Sequence, residues 1–580
     1  MKTAWHNLSA ALRNVINSTV PASRLTGGRQ DLIALMTGKL ETIVVPNGTF
    51  TLKEVHLAKD MRFTGTGPGS RLKLPTDLTT SIRGIVDGQE AMQNAMFLIN
   101  SPVNIIFVNL TFDGDFFNQA EPYNGGTFLR VYKPTGEGRI NVTFKNCRFV
   151  NVNHSAIQAY GTDVQEQVFV RVEGCTFDGG AKGTHTGAIP DKWAYGFAPH
   201  FIGLYDEVDL YVTGCTFMDD VLPNNTDTFA RIALYASVTA TATTADSDRY
   251  SASVSFHNNI FKNLGRSDAA GNGLGVLDMY VNGENAVISG NKFYNSQMQS
   301  IRGKVNVKNL VVTDNIVKDG IDGAIAFHPN NYATKKGNVI IANNLVENCM
   351  GYGILLNGDS RTDAAPYFEN AIVNGNNVRG IGQVPYRADL ANGIFLKKVK
   401  NVTVTANHLT DILKDGIALE AVENVKIDGN TIMTTTNDAG VGRGIYGTLL
   451  RGSVVIRGNH IRSNVAAMYI TFDSATTTLE KRFIFNDNTI SEVRNCTSQA
   501  VYVANFFIGI ASTNVVDGMV QAEGSTAYAF NFKGGFLMLM GNMYADVSGG
   551  NKDATGTSKG IKLKGNVTTL YELNNSWQTA

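Results

Sequence analysis

The sequence predicts an all-β protein, a right-handed parallel β-helix of stacked short coils with a small N-terminal helical cap. Three observations carry the prediction. One phrase recurs along the chain at intervals of a few tens of residues. Each copy alternates apolar with polar residues, which is the period of a strand and not of a helix. The composition is heavy in Gly, 59 of 580 residues, and in Asn, 57 of 580, the residues that tolerate left-handed turns. A coil of short strands cannot bury its apolar side alone, so such coils must stack.

Taken in order, residues 5–18 and 30–37 look helical and form the cap, residues 1–41. TIVVPNGTFTL (42–52) and MRFTGTGPGSRLKL (61–74) then open the strand region. From there the recurring phrase reads as two alternating apolar residues, a two-residue turn, one fixed slot, any residue, and an apolar residue. The slot holds Leu110, Cys147, Cys175 and Cys215, in IIFVNLTF, VTFKNCRF, VRVEGCTF and LYVTGCTF. It then holds Asn259, Asn291, Asn315, Asn344, Asn376, Asn407, Asn430, Asn459, Asn488, Asn514, Asn542 and Asn566. Most copies stand 23–32 residues apart, and spacings of 37, 40 and 44 mark inserted loops. Asn at one fixed slot predicts a side-chain ladder along the stack. After each turn comes a further strand, such as SAIQAYG (155–161), ARIALYA (230–236) or GAIAFHP (323–329). Its first Ile or Val and the residue two later should point inward, and the residues between should face solvent. The β-helix is expected over 42–575, with 576–580 as a tail.

The rest of the composition excludes several classes. Fifty Lys and Arg balance fifty Asp and Glu, and a neutral chain is a poor partner for nucleic acid. No run of about 18 apolar residues exists to span a membrane. The first twenty residues are polar and lack the apolar core of a leader, which suggests assembly in the cytosol without export. Five cysteines, at 147, 175, 215, 349 and 496, are odd in number and show no CxxC spacing. That argues against a disulfide scaffold or zinc site, and no metal or cofactor is expected.

The short helix, VVPNGTF and the following G-T-G-P-G-S resemble the N-terminal cap of pectate-lyase-like β-helix proteins, especially phage tailspikes and polysaccharide depolymerases. The resemblance implies a homotrimer on a phage tail or baseplate, assembled in the host cytoplasm and acting on polysaccharide at the bacterial surface. A secreted pectinolytic enzyme is the rival and would need a leader.

Candidate site residues come from the outward side of the strand that follows each turn. One column reads Tyr132, Tyr160, Tyr205, Tyr235 and Tyr280, followed by Lys304, His328, Asn357, Lys397 and Glu420. Cross-strand aromatic pairing explains such a column structurally. A sugar-stacking wall explains it functionally, since flat rings match pyranose faces. The insertion at 181–199 adds Trp193, Tyr195 and Phe197, and further insertions fall at 221–229 and 237–250; long loops on a rigid scaffold commonly carry function. Glycoside hydrolysis needs two carboxyls, and Asp206, Glu207 and Asp278 lie near the wall. Asp206 and Asp278, two coils apart, would stand about 9–10 Å from each other, near the separation used for inversion. Asp206 and Glu207 also read as ordinary turn acids. Arg302, Lys304 and His328 could bind an acidic sugar or serve a lyase. Glu420 and Asp473 are second choices.

Some phrases do not extend to a known signature. Asn225-Thr226-Asp227 matches one polygalacturonase motif but the others are missing. Tyr195-Gly-Phe-Ala-Pro-His200 is similar to an alginate epimerase phrase with its Asp replaced by Ala198. Asp113-Gly-Asp115 lacks the remaining ligands of a calcium loop and reads as a turn. The expected activity is therefore depolymerisation of surface polysaccharide, hydrolysis ahead of β-elimination, with a non-catalytic glycan-binding fibre as the alternative from another class.

Overall fold

The computed structural model describes residues between 42 and 577, with interruptions of which the longest are 116–126, 180–199, 220–231, 238–252 and 549–558. The expected cap, 1–41, lies outside the described residues. Among the described residues every named element is a β-strand, and the fold is a right-handed parallel β-helix. Two compact units divide the chain, Met1–Val287 and Ile288–Ala580.

In the first unit one coil consists of Ile140–Lys145, Arg148–Val150 and Ser155–Tyr160. The next consists of Val168–Glu173, Thr176–Asp178 and His200–Tyr205. Equivalent strands pair in parallel and in register: Val142 opposes Val170, which opposes Leu210. Each coil thus has three strands where the sequence suggested two. The middle strand spans three residues, too few for alternation to be read.

The turn into that middle strand explains the Gly and Asn content. The residue before the slot has positive φ: Asn146 at 53°, Gly174 at 60°, Gly214 at 63° and Asn258 at 55°. Such left-handed conformations are easy for Gly and tolerated by Asn. The turn aims the slot residue into the core, where Cys147, Cys175 and Cys215 are each 1% exposed. Two residues on, the core holds a phenylalanine stack. Phe112, Phe149, Phe177, Phe217 and Phe261 lie 5.0, 4.4, 4.4 and 5.1 Å apart in succession, nearly parallel. Each fully buried ring contributes roughly 2–3 kcal/mol of hydrophobic stabilisation.

The second unit repeats the coil, as in Lys400–Thr405, His408–Ile412 and Ile417–Glu420. Here the slot carries the expected ladder. From Asn291 to Asn542 each Nδ2 donates to Oδ1 of the next Asn at 2.9–3.0 Å. Each Oδ1 also accepts the backbone N–H of the preceding slot, as Asn407 does from Asn376 at 3.0 Å. From Asn315 onward each Nδ2 also donates to a strand carbonyl, as Asn407 does to Val373 at 2.9 Å. The amide is saturated on both sides, so a polar column sits in an apolar core without unmet hydrogen bonds.

Candidate functional site

The first unit carries two outward-facing rows on its third-strand series. One row runs Arg130, Gln158, Gly203, Tyr235, Asp278, each opposing the next. The flanking rows are core: Leu129, Ile157, Ile202, Leu234 and Leu277 before it, Val131, Ala159, Leu204, Ala236 and Met279 after it, all at most 1% exposed. In the second outward row Tyr160 opposes Tyr205, and Tyr205 opposes Ser237. The Tyr132 and Tyr160 rings are 5.8 Å apart, and Tyr160 stacks on Tyr205 at 4.5 Å and 10°.

This corrects the single tyrosine column. Tyr235 opposes Gly203 and not Tyr205, and its next neighbour is Asp278 and not Tyr280. Tyr235 still reaches Tyr205 diagonally, with centroids 6.1 Å apart. A register error of two residues keeps every side chain on its face, so alternation cannot detect it. Asp278 therefore shares the row of Gly203, three positions upstream of Asp206, and the separation expected from the coil count no longer follows. Asp206, Glu207 and Trp193 lie outside the described residues. Tyr280 lies in the strand Leu277–Ser289.

His200 belongs to this face, although the sequence reading met it only as the end of a phrase. Its ring stacks on Tyr235 at 5.8 Å and 28°, and meets Tyr205 edge-on at 6.5 Å. It sits over Gly203, where a Cβ would come within 2.3 Å of Nε2. A glycine inside a strand was the clue, since it marks close approach of another group.

The face is also far less open than alternation suggests. Arg130 is 4% exposed, Gln158 2%, His200 1%, Tyr205 4% and Asp278 0%, whereas Tyr160 and Tyr235 are partly exposed. Asp278 Oδ2 accepts the backbone N–H of Gly275 at 3.0 Å. Arg130 donates from Nε and Nη2 to Gln158 Oε1, at 3.3 and 2.9 Å. Burial pushes the arginine pKa down, opposed by the nearby phenols of Tyr160, Tyr205 and Tyr132. Burial pushes Tyr205 well above the usual tyrosine value, as do Tyr160 and Tyr235, with Arg130 opposing. Among the described residues Tyr205 Oη has no hydrogen-bond partner.

In the second unit Lys304 opposes His328 and Arg302 opposes Ala326. Asn357, Lys397 and Glu420 follow one another as the sequence suggested. Burial, then Arg302 and Lys304, lower the His328 pKa to about 4, so the imidazole is neutral near pH 7. The second-choice acids are engaged in ion pairs. Glu420 holds Lys397 at 3.0 Å, and Asp473 holds Arg451 at 3.0 Å while accepting Ala475 N–H at 3.0 Å. Asp113 and Asp115 pair with Arg71 and Lys73, and Asp113 accepts Asp115 N–H as a turn residue does. Among the described residues no three His, Cys, Asp or Glu side chains group to hold a metal ion. All five cysteines are buried and none forms a disulfide. Among the described residues no helix is long and apolar enough to cross a membrane.

Residues 365–529 match the family described as right handed beta helix region. No curated protein matches the sequence. Among solved structures the chain is similar to the periplasmic alginate epimerase AlgG, at 11% identity over 78% of this chain and 77% of that one, TM-score 0.33. It is similar to the catalytic domain of a GH87 alpha-1,3-glucanase, at 10% identity over 96% and 68%, TM-score 0.31. Tailspike protein 3 of bacteriophage CBA120 is similar at 9% identity over 95% of this chain, TM-score 0.26, and the chain spans 58% of that protein.

Proposed function

We propose that the chain is a phage tailspike depolymerase that binds and cleaves a bacterial surface polysaccharide on the outward face of the first unit. The observation that carries the reading is the composition of that face. Stacked tyrosines, an imidazole, a guanidinium and the carboxyl of Asp278 occupy adjacent rows. Aromatic faces bind sugar rings, and acids and bases at hand cut them. For hydrolysis Asp278 supplies one carboxyl and Asp206 or Glu207 the other, with Tyr160, Tyr205, Tyr235, Tyr280 and Trp193 holding the sugars. Arg302, Lys304 and His328 belong to the second unit and serve as a further basic binding patch. The capsid-side roles follow the same reading: a homotrimer assembled in the host cytoplasm, mounted on the phage tail and acting at the cell surface.

A specific observation favours a second reading, β-elimination. His200, Tyr205 and Arg130 crowd the face, while Asp278 is the one carboxylate on its described rows. A panel of O-antigen and capsule preparations distinguishes the readings by fragment mass and absorbance at about 235 nm. Saturated reducing ends indicate hydrolysis and unsaturated ends a lyase; binding without fragments leaves an adhesive fibre. Asp278→Asn is expected to lower the cleavage rate at least about a hundredfold. Full activity in that variant removes Asp278 from the site.

A further inference from the structure

We propose that Arg130 and Tyr205 together recognise a carboxylate-bearing sugar, so that the substrate is an acidic polysaccharide containing uronic acid. This rests on the polysaccharide reading above and names the substrate class of the same face. Two independent observations point to a ligand. Arg130 is a permanent cation, 4% exposed, whose hydrogen-bond acceptor is the neutral amide oxygen of Gln158. Burying a charge costs several kcal/mol unless an anion or a full set of acceptors compensates, and a guanidinium cannot escape by losing its proton. The second unit shows a compensated counterpart: Asp415, 1% exposed, takes a bidentate pair from Arg443. Position 158 opposes Arg130 directly, and a Glu there would complete such a pair; the chain has Gln. The second observation is Tyr205, 4% exposed, whose Oη is buried without a hydrogen-bond partner among the described residues. The two groups are close enough that the cation opposes the rise in the phenol pKa.

A carboxylate answers both needs. The guanidinium edge left by Gln158 donates to the carboxylate oxygens, and Tyr205 Oη donates to one of them or to an adjacent ring substituent. Tyr160 stacks on Tyr205 and offers its partly exposed ring to the same sugar. A neutral sugar would satisfy the hydroxyl and leave the cation uncompensated.

The test uses the full chain with uronate-containing bacterial capsule preparations, hyaluronan and polygalacturonate, each beside its carboxyl-reduced form made with carbodiimide and borohydride, and with neutral O-antigens. We expect cleavage or binding of an acidic member and a loss of about tenfold or more on carboxyl reduction. Gln158→Glu places an internal carboxylate on Arg130; it is expected to raise the melting temperature and to weaken binding of the acidic polymer about tenfold, leaving the reduced polymer unaffected. Arg130→Gln should remove the preference for the acidic form. Because Gln158→Glu adds a partner and removes none, it tests the idea even where Arg130→Gln fails to fold. Efficient cleavage of a neutral O-antigen, or Gln158→Glu stabilising the protein with binding unchanged, overturns the acidic-sugar assignment while depolymerase function stands. Failure to bind or cleave any member overturns both.

Discussion

The two units use one coil but differ in what fills the core slot and in the polar groups of the outward face. In the second unit several acids are compensated on the spot. Lys318 and Arg379 hold Glu347, Arg443 holds Asp415, Arg451 holds Asp473, and Lys397 and Lys398 hold Asp359. Its core slot is an amide ladder in which every donor and acceptor is used. In the first unit the core slot holds three thiols between Leu110 and Asn259, and the stack beside it is phenylalanine, so the interior asks for little polar satisfaction. The polar groups move to the outward face, where a buried arginine meets an amide and a buried phenol meets nothing described. The comparison teaches where to look for function: compensated charges stabilise, and uncompensated buried ones are held for a ligand.

The largest test breaks the ladder. Asn407→Ala removes the acceptor of Asn376 N–H and Nδ2 and the donor to Val373 O. Each orphaned buried group costs about 1–3 kcal/mol, so we expect a loss near 4 kcal/mol, read from the urea midpoint. Hydrogen exchange should accelerate first at 373–376. A loss below about 1 kcal/mol would mean that the ladder is ornamental and that the units do not differ in this respect.

Next in size is a pH effect confined to the second unit. The folded His328 imidazole titrates at about 4, against about 6.5 in an unfolded chain. Between those values the unfolded state holds more protons, so stability falls as pH drops from 6.5 to 4, by up to about 3 kcal/mol. The lowered carboxylates Glu347, Asp359, Asp428 and Asp473 add a loss of the same sign only as pH falls below about 5, where unfolded carboxylates take up protons, so the span above about pH 5 reports the imidazole. His328→Gln should flatten the melting-temperature curve between pH 4.5 and 6.5. An unchanged slope would show that burial beside Arg302 and Lys304 does not suppress protonation.

Smaller again is the ion pair at Asp415. Arg443 donates to both oxygens of Asp415, at 2.7 and 3.0 Å, and lies 3.4 Å above the Tyr446 ring. Arg443→Ala strands a carboxylate that is 1% exposed. Because the arginine itself is 27% exposed, solvent softens the penalty to about 2 kcal/mol. Lysine should restore less than half, lacking the planar fork. Under the proposed function, activity on polysaccharide should persist in both variants.

How much was legible follows from what periodicity can see. The slot from Leu110 to Asn542, the inward Ile157 and Ala159, and the Lys304 to His328 neighbourhood were all readable, because alternation and a fixed repeat determine them. The middle strand Arg148–Val150 was not, being shorter than one full alternation. Tyr235 was placed on the right face and the wrong rung, since a shift of two is silent in a period of two. Arg130 and Gln158 were passed over because alternation assigns outward residues to solvent. Their burial depends on what covers the sheet, which no strand pattern encodes. His200 was visible only through Gly203, a single residue whose lack of a side chain makes room for the ring.

The smallest effect closes the comparison inside the core. Cys175 occupies the slot that Asn407 fills in the other unit. Its Sγ stands 3.3 Å from Cys147 N and 3.4 Å from Glu173 O, and burial raises its pKa, so the group is a neutral thiol. A thiol is a weak donor and acceptor that behaves mainly as a small hydrophobe. Cys175→Ala therefore removes one sulfur's packing and two weak contacts, and we expect a loss of about 1 kcal/mol, a quarter of that for Asn407→Ala. Native protein should also resist thiol reagents until unfolded, because reaction needs an accessible thiolate. A loss matching that of Asn407→Ala would show that the sulfur column is a hydrogen-bonded ladder in its own right. The contrast between a polar-satisfied and an apolar slot would then fail at its simplest point.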